Sequence, residues 1–235
     1  MINRIASALS RRKLIALTFD DGPDEKTPEI LDLLEEHGAL ATFFVLGRQV
    51  EGREDVLRRA VRAGHELGNH SFSHPRFEEL QPGEIESELI RASNAIREAV
   101  GVPPRLMRPP YGLGIDDAAP VARRLGLKPV LWSLNPKDWT QTDPEQISEV
   151  ILNGARSGAV IVLHDGAAHG GDRSITLNAL EKAVPALRKR GYGFATVSTL
   201  LRRSPWATRA AVPRGPLRRA VHRTRRRSES DASDA

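Results

Sequence analysis

Leu14-Ile15-Ala16-Leu17-Thr18-Phe19-Asp20-Asp21-Gly22-Pro23 is the stretch on which the fold turns. Its first six residues are almost wholly apolar, as a strand covered on both faces requires. Asp20 and Asp21 stand at the exit of that strand. Side chains alternate along an extended backbone, so the two carboxylates point in different directions. One of them can hold a metal ion while the other stays free to take a proton. Gly22 and Pro23 then turn the chain away, which leaves both acids at a strand-to-loop edge. An isolated Asp-Asp-Gly is usually a solvated turn, so its meaning depends on the polar residues elsewhere in the chain.

Outward from this stretch, strand-like runs recur at 14–19, 41–46, 66–69, 105–108, 129–134, 160–164 and 193–197. Between them lie helical patterns at 29–36, 54–63, 84–100, 116–125, 144–155 and 175–189. The first has Pro28 at its start and Gly38 past its end, and the fifth has Asp143 as N-cap. In the third, Ile85, Leu89, Ala92, Ile96 and Val100 recur at helical spacing. Seven strands joined by helical crossovers predict an α/β fold with a mostly parallel sheet. An open doubly wound sheet and an incomplete (β/α) barrel both fit that order. The polar residues favour the barrel, because Asp20, Asp21, His70, Arg108 and His164 all fall at C-terminal ends of different strands. In a (β/α) barrel those ends meet on one face, where active sites are built.

At 235 residues with 40% apolar side chains, the chain has enough material for one good core. The net charge of +5 hints at nucleic acid until the charges are located. Eight of the 35 basic residues and three of the 30 acids lie from Ser204 onward, which leaves 27 of each sign in residues 1–203. The globular part is thus formally neutral, and no specific nucleic-acid binding is expected of it. We divide the chain into a short lead-in, 1–12, a catalytic domain, 13–203, and an Arg-rich tail, 204–235, that ends in Ser and acids. The tail lacks the apolar residues to offset its ordering entropy and is expected to be disordered. It reads as a solubilising segment, with weak contact to a polyanion as its functional alternative. No run is long enough to span a bilayer, and no secretory signal is visible, which gives a cytoplasmic expectation. The absence of cysteine rules out disulfides.

The residues with chemical potential form a series. In His70-Ser-Phe-Ser-His74 two imidazoles four positions apart share one face if the segment is a helical turn. With Asp21 they make an aspartate-plus-two-histidine set of the kind that holds catalytic zinc and leaves room for water. Arg108-Pro109-Pro110-Tyr111-Gly112 is a loop stiffened by two prolines, in which Tyr111 keeps a backbone N–H able to face a developing oxyanion. Arg108 is placed to grip Asp20 by a bidentate contact. Asp138-Trp139 follows one strand and His164-Asp165 ends another, so His164 is a candidate general acid and Asp138 a candidate to orient it. His37, His65, His169 and His222 lack such neighbours and read as surface or loop residues.

This ordered series resembles the polysaccharide deacetylase family, also called the NodB homology domain or carbohydrate esterase family 4, over roughly residues 13–203. The resemblance includes the closing Arg190-Gly-Tyr-Gly-Phe-Ala-Thr-Val197. It implies a deformed (β/α) barrel of about seven parallel strands and metal-dependent removal of acetyl groups, most often from N-acetylglucosamine units. By position it makes Asp21, His70 and His74 the metal ligands, with zinc first and cobalt, nickel or another divalent ion as alternatives. It makes Asp20 the general base, His164 the general acid held by Asp138, Arg108 the residue that positions Asp20, and Tyr111 the oxyanion donor. Trp139, Leu163 and Pro109 would contact the substrate, an acetylated carbohydrate. One departure is Asn135, where the family often has an acid, and loop geometry is expected to differ there. Many such enzymes act outside the cell, so either the substrate is a cytoplasmic oligosaccharide or the true start lies upstream. Related activities are hydrolysis of other amides or of O-acetyl esters, and a sugar-binding protein without catalysis is the non-enzyme alternative.

Overall fold

The computed structural model describes residues 13–168 and 171–203. The lead-in 1–12, His169, and the tail 204–235 with His222 in it, on which the sequence raises expectations, lie outside the described residues. Strands and helices alternate: β1 (Lys13–Asp20), α1 (Thr27–Glu36), β2 (Ala41–Val45), α2 (Glu54–Arg62), β3 (Glu66–Asn69), α3 (Pro82–Val100) and β4 (Leu106–Met107). Then come α4 (Ile115–Arg124), β5 (Lys128–Pro129), α5 (Pro144–Gly154), β6 (Val160–His164), α6 (Ser174–Lys189), β7 (Tyr192–Phe194) and α7 (Val197–Arg203). All strand pairs are parallel, in the order β5-β4-β3-β2-β1-β6. β7 joins the N-terminal half of β1, whose C-terminal half pairs with β6.

Local chemistry explains the longer helices. Gln81 and Glu84 form a reciprocal capping box before α3, Pro82 fills its first turn, and Gly101 closes it in the left-handed region. The Asp143 side chain accepts from the Glu145 N–H to start α5. Side-chain alternation then separates an outer from an inner face, and a third cluster joins Met107 of β4 to Ile85 and Leu89 of α3 and Val121 of α4. Ile15, Leu17 and Phe19 of β1, Phe43 and Val45 of β2, and Ile161 and Leu163 of β6 face outward. They pack on Ile30 and Leu34 of α1, Ile147 and Ile151 of α5, and Leu180, Val184 and Leu187 of α6. Each such fully buried side chain contributes about 1.5–3 kcal/mol, so the outer layer carries most of the stability. The inner face bears Ala16, Phe44, Leu106, Val130 and Val160, sealed at the N-terminal end of the sheet by Val197 and Leu200 of α7.

The sheet is a curled, incomplete barrel rather than an open doubly wound sheet. Its weak side differs from the sequence expectation. The strand expected at 129–134 is only Lys128–Pro129, held to β4 by the Lys128 and Val130 N–H groups, which donate to the Arg105 and Met107 carbonyls; Pro129 between them has no N–H to offer at its other edge. The chain leaves the sheet and returns at Leu134, which bridges to Ile161 of β6 and so narrows the gap in the ring. The strand expected at 105–108 is likewise cut to Leu106–Met107. The expected strand 193–197 ends at Phe194, and α7 begins where strand was expected. Its first N–H groups are taken by side chains: Val197 N–H donates to Thr42 Oγ1, Ser198 N–H to Glu66 Oε2 and Thr199 N–H to Thr196 Oγ1. Among the described residues no helix is long and apolar enough to cross a membrane.

Candidate active site

Register decides which side chains meet. Asp20 of β1 is the direct partner of His164 on β6. Val45 pairs with Asn69, and Asn69 with Met107, which puts His70 and Arg108 one step past their strand ends on the same rim. Arg108 is fully buried, which for a guanidinium requires complete pairing. Its Nη1 donates to Asp20 Oδ1 at 2.7 Å and to Thr18 Oγ1 at 2.8 Å. Nε and Nη2 reach the Val130 and Leu131 carbonyls at 3.4 Å, and the guanidinium lies 4.1 Å from the Phe44 ring centre. The grip on Asp20 is therefore one bond and not the bidentate contact expected, because the other nitrogens are committed to carbonyls. Burial pushes the Arg108 pKa down from its ordinary value, against the opposing pull of the Asp20 charge.

Asp21, His70 and His74 are all buried and bring one ligand atom each within 4.8 Å of one another. His70 Nε2 lies 3.5 Å and His74 Nε2 3.2 Å from Asp21 Oδ1. That oxygen is buried and has no hydrogen-bond partner, although buried polar atoms are nearly always satisfied. The neighbours of the histidines point the same way. His70 Nδ1 lies 2.8 Å from the Arg108 carbonyl, which can only accept, so Nδ1 carries the proton and Nε2 presents its lone pair. Burial acts to raise the Asp21 pKa, but the adjacent His70 and His74 rings more than offset it and hold the carboxyl well below its usual range. Burial sets His74 below the usual imidazole value. An ionised carboxylate beside a neutral imidazole is the protonation state that a divalent cation needs, and the residues fit one.

The His70–His74 segment is not a helical turn, contrary to the sequence reading. It is a loop in which Ser71 and His74 both adopt left-handed backbone, at φ 72° and 65°. The two rings converge because the loop folds back between Gly47-Arg48 and α3, not because of a 3.6-residue repeat.

At the end of β6, the strand adjacent to β1, His164 Nδ1 lies 2.8 Å from Asp138 Oδ1, and the His164 N–H donates to Asp138 Oδ2 at 2.8 Å. Thr176 Oγ1 also donates to Oδ2, so the buried Asp138 is fully engaged. Burial acts to lower the His164 pKa, yet the Asp138 hydrogen bond and charge, with Asp20 and Asp21 beyond, leave it above its ordinary value.

These groups open on one cavity of about 440 Å³. Its walls include Asp20, Asp21, His70, His74, Tyr111, Trp132, Asn135, Trp139, Val162 and His164. Tyr111 has left-handed backbone (φ 59°), and its ring meets His74 edge-on at 4.5 Å. Trp139 meets His164 in the same way at 5.0 Å. Two expected lining residues are absent from these walls. Leu163 lies in the outer core, and by strand alternation its neighbour Val162 faces the cavity. Pro109 is buried under the loop as the first residue of a turn whose Gly112 N–H donates to its carbonyl, so Tyr111 and Gly112 reach the cavity instead. Counting by twos from His164 would have found Val162. Asn135 Oδ1 accepts from the Lys137 N–H, a turn-fixing role that any Asn or Asp side chain can fill. Thr18, Thr176 and the Arg108 carbonyl were not singled out, since their value lies wholly in tertiary contacts. His65 is not a surface residue: it is buried, and its Nδ1 accepts from the Ala41 N–H.

Known proteins resemble this chain in sequence and in fold. A family model described as polysaccharide deacetylase matches residues 9–130. A chitooligosaccharide deacetylase of a Bradyrhizobium species is 38% identical over 201 residues, covering 81% of this chain and 92% of the relative. A peptidoglycan-N-acetylglucosamine deacetylase of Bacillus cereus is 39% identical over 196 residues, covering 82% and 90%. The solved structure of peptidoglycan deacetylase PdaC from Bacillus subtilis superposes with a TM-score of 0.76 at 34% identity, covering 84% of this chain and 94% of that one. The alternating β/α order, the rim on which Asp20, His70, Arg108 and His164 meet, and these matches agree, and the chain belongs to the polysaccharide deacetylase family.

Proposed function

We propose that the protein removes acetyl groups from N-acetylglucosamine units of an oligo- or polysaccharide by metal-dependent amide hydrolysis, with zinc as the preferred ion. The observation that carries this reading is the placement of two differently held proton carriers, Asp20 and His164, on neighbouring strand ends that line one cavity with Asp21, His70 and His74. Sugar binding alone needs neither a base nor an acid. A divalent ion held by Asp21, His70 and His74 supplies Lewis acidity to the acetyl carbonyl and acidifies an attacking water.

The residues of the chain do the rest. Asp20 Oδ1 is tied to Arg108, which leaves Oδ2, 3.9 Å from His70 Nε2, as the oxygen that takes the proton from the attacking water. His164 Nδ1 is tied to Asp138, which leaves Nε2 to give a proton to the departing nitrogen as the C–N bond breaks. The Asp138 hydrogen bond and charge hold its pKa above the ordinary imidazole value against burial, which favours the protonated form. The Tyr111 backbone N–H is the donor assigned to the developing oxyanion. Val162 and Trp139 give the acetyl methyl an apolar wall. The Bradyrhizobium and Bacillus cereus relatives are named for chitooligosaccharides and for peptidoglycan N-acetylglucosamine, which share the acetamido-glucose unit.

Acetate release from chitooligosaccharides, peptidoglycan fragments and acetylated xylan tests the reading. Release from an acetamido sugar should stop with a chelator and return with zinc. Zinc-loaded protein that releases acetate only from xylan, or from none of the three, would overturn the assignment.

A further inference from the structure

The loop that carries His70 and His74 has every backbone N–H engaged, and the pattern singles out one residue on α3. The His70 N–H donates to the Val45 carbonyl, the Ser71 N–H to Asn69 Oδ1 and the His74 N–H to Ser71 Oγ. The two N–H groups between the histidines, those of Phe72 and Ser73, both donate to Glu88 Oε2, at 2.9 and 2.7 Å. Ser73 Oγ donates to Glu88 Oε1 at 2.9 Å. The loop carbonyls of Ser71 and Phe72 accept from the Gly47 and Arg48 N–H groups. Among the described residues, Glu88 is thus the one charged side chain that accepts from this segment's backbone, and it does so from the second turn of a nineteen-residue helix.

Asn69 ties the same helix to the loop's first residue, since its Nδ2 donates to the Leu89 carbonyl and to Ser93 Oγ. Phe72, between the histidines, is packed away from the cavity: the Arg91 guanidinium lies 3.8 Å from its ring centre, and the ring lies against Gly47. Two non-glycine residues of the loop are in left-handed backbone, which is strained and persists only where surroundings impose it. His74 follows Ser73 directly, so the angle of its ring depends on where Glu88 holds that residue.

We propose that Glu88 is a positioning residue for the metal centre. Its carboxylate fixes the Phe72-Ser73 backbone and thereby sets His74 against Asp21 and His70. The inference rests on the proposed metal set of Asp21, His70 and His74, and goes beyond it to a residue outside the cavity.

The test measures zinc affinity by competition with a chromophoric chelator, together with the visible spectrum of the cobalt-loaded protein and the melting temperature without metal. Glu88→Ala should weaken zinc binding about 10- to 100-fold, the range seen when a ligand's outer support is removed. It should also alter the cobalt bands, while the metal-free protein still melts cooperatively. Glu88→Gln keeps an acceptor for the backbone N–H groups and should fall between Glu88→Ala and the native protein. Should Glu88→Ala fail to fold, Glu88→Gln decides alone: loss beyond about threefold supports the role, and any smaller loss overturns it. A Glu88→Ala protein that melts earlier but binds zinc and absorbs with cobalt as the native one does would also overturn it, leaving a purely structural residue. A native protein that binds neither ion sinks the metal reading itself, and this inference with it.

Discussion

β3 is flanked by two histidines, and the fold could hardly treat them more differently. His65 precedes its first residue, buried, with Nδ1 accepting the Ala41 N–H and its ring meeting Phe43 edge-on. His70 follows its last residue, equally buried, with Nδ1 facing a carbonyl and Nε2 facing a carboxylate oxygen that no hydrogen bond satisfies. The contrast extends to the two ends of the sheet. At the N-terminal end Glu66 is absorbed by Thr42 and Ser198, so polar groups there neutralise one another within the fold. At the C-terminal end Asp20, Asp21 and His164 all line the cavity. Burial therefore does not distinguish a structural polar residue from a working one. What does is whether the fold consumes its last lone pair or proton.

The sharpest way to break this contrast is Asp20→Asn. The amide still accepts from Arg108 but can no longer take a proton, so turnover should fall by about 10²- to 10⁴-fold. Binding of a chitooligosaccharide, measured by calorimetry, should change little. Retention of activity within about tenfold would remove Asp20 from the base role.

Asp138→Asn sharpens the other half of the cavity. The Asp138 charge and hydrogen bond are what keep the His164 pKa above its ordinary value against burial. An uncharged amide should let that pKa fall, so the alkaline limb of the kcat profile should move to lower pH, with kcat down by about 10²-fold. A profile whose alkaline limb stays in place would show that His164 is not the acid being titrated.

The same distinction explains what the sequence made legible. The strand exits of Asp20 and His164 could be read because an apolar run marks each strand and a polar residue ends it. Helix positions were recovered closely because start and stop signals such as Asp143 and Gly38 are local chemistry. Partnerships across the sheet were not legible: Thr176 on Asp138, Glu88 on the metal loop and Ala41 on His65 join residues whose spacing in the chain says nothing of their contact. Leu163 was misplaced for a different reason, since the choice between it and Val162 needed only the two-residue period of the strand. α7 was missed because the Val-Ser-Thr run after Thr196 has strand propensity and is turned to helix by Thr42 and Glu66, over a hundred residues away.

The mildest test concerns His65, at the end where polar groups serve only the fold. Its pKa is pushed down to about 4, first by burial and then by the nearby Arg59 charge, with Glu35 acting in the opposite sense. Protonation at Nδ1 would set two donors against each other, the imidazolium and the Ala41 N–H. Because the folded state binds this proton more weakly than the unfolded chain, the stability tied to neutral His65 is complete above about pH 6.5. It drains away as pH falls from there toward 4, and by pH 5 the loss should reach about 2 kcal/mol. His65→Asn keeps an oxygen near Nδ1 for the Ala41 N–H and has no proton to gain. It gives up the ring's packing on Phe43, so it should start less stable at pH 7.5 but lose less on acidification. Urea melts of the chelator-treated native and variant proteins at pH 7.5 and 5 measure the difference directly. Equal losses for the two would mean that His65 does not couple folding to pH, and that the N-terminal end of the sheet tolerates a charge which its hydrogen bonding leaves no room for.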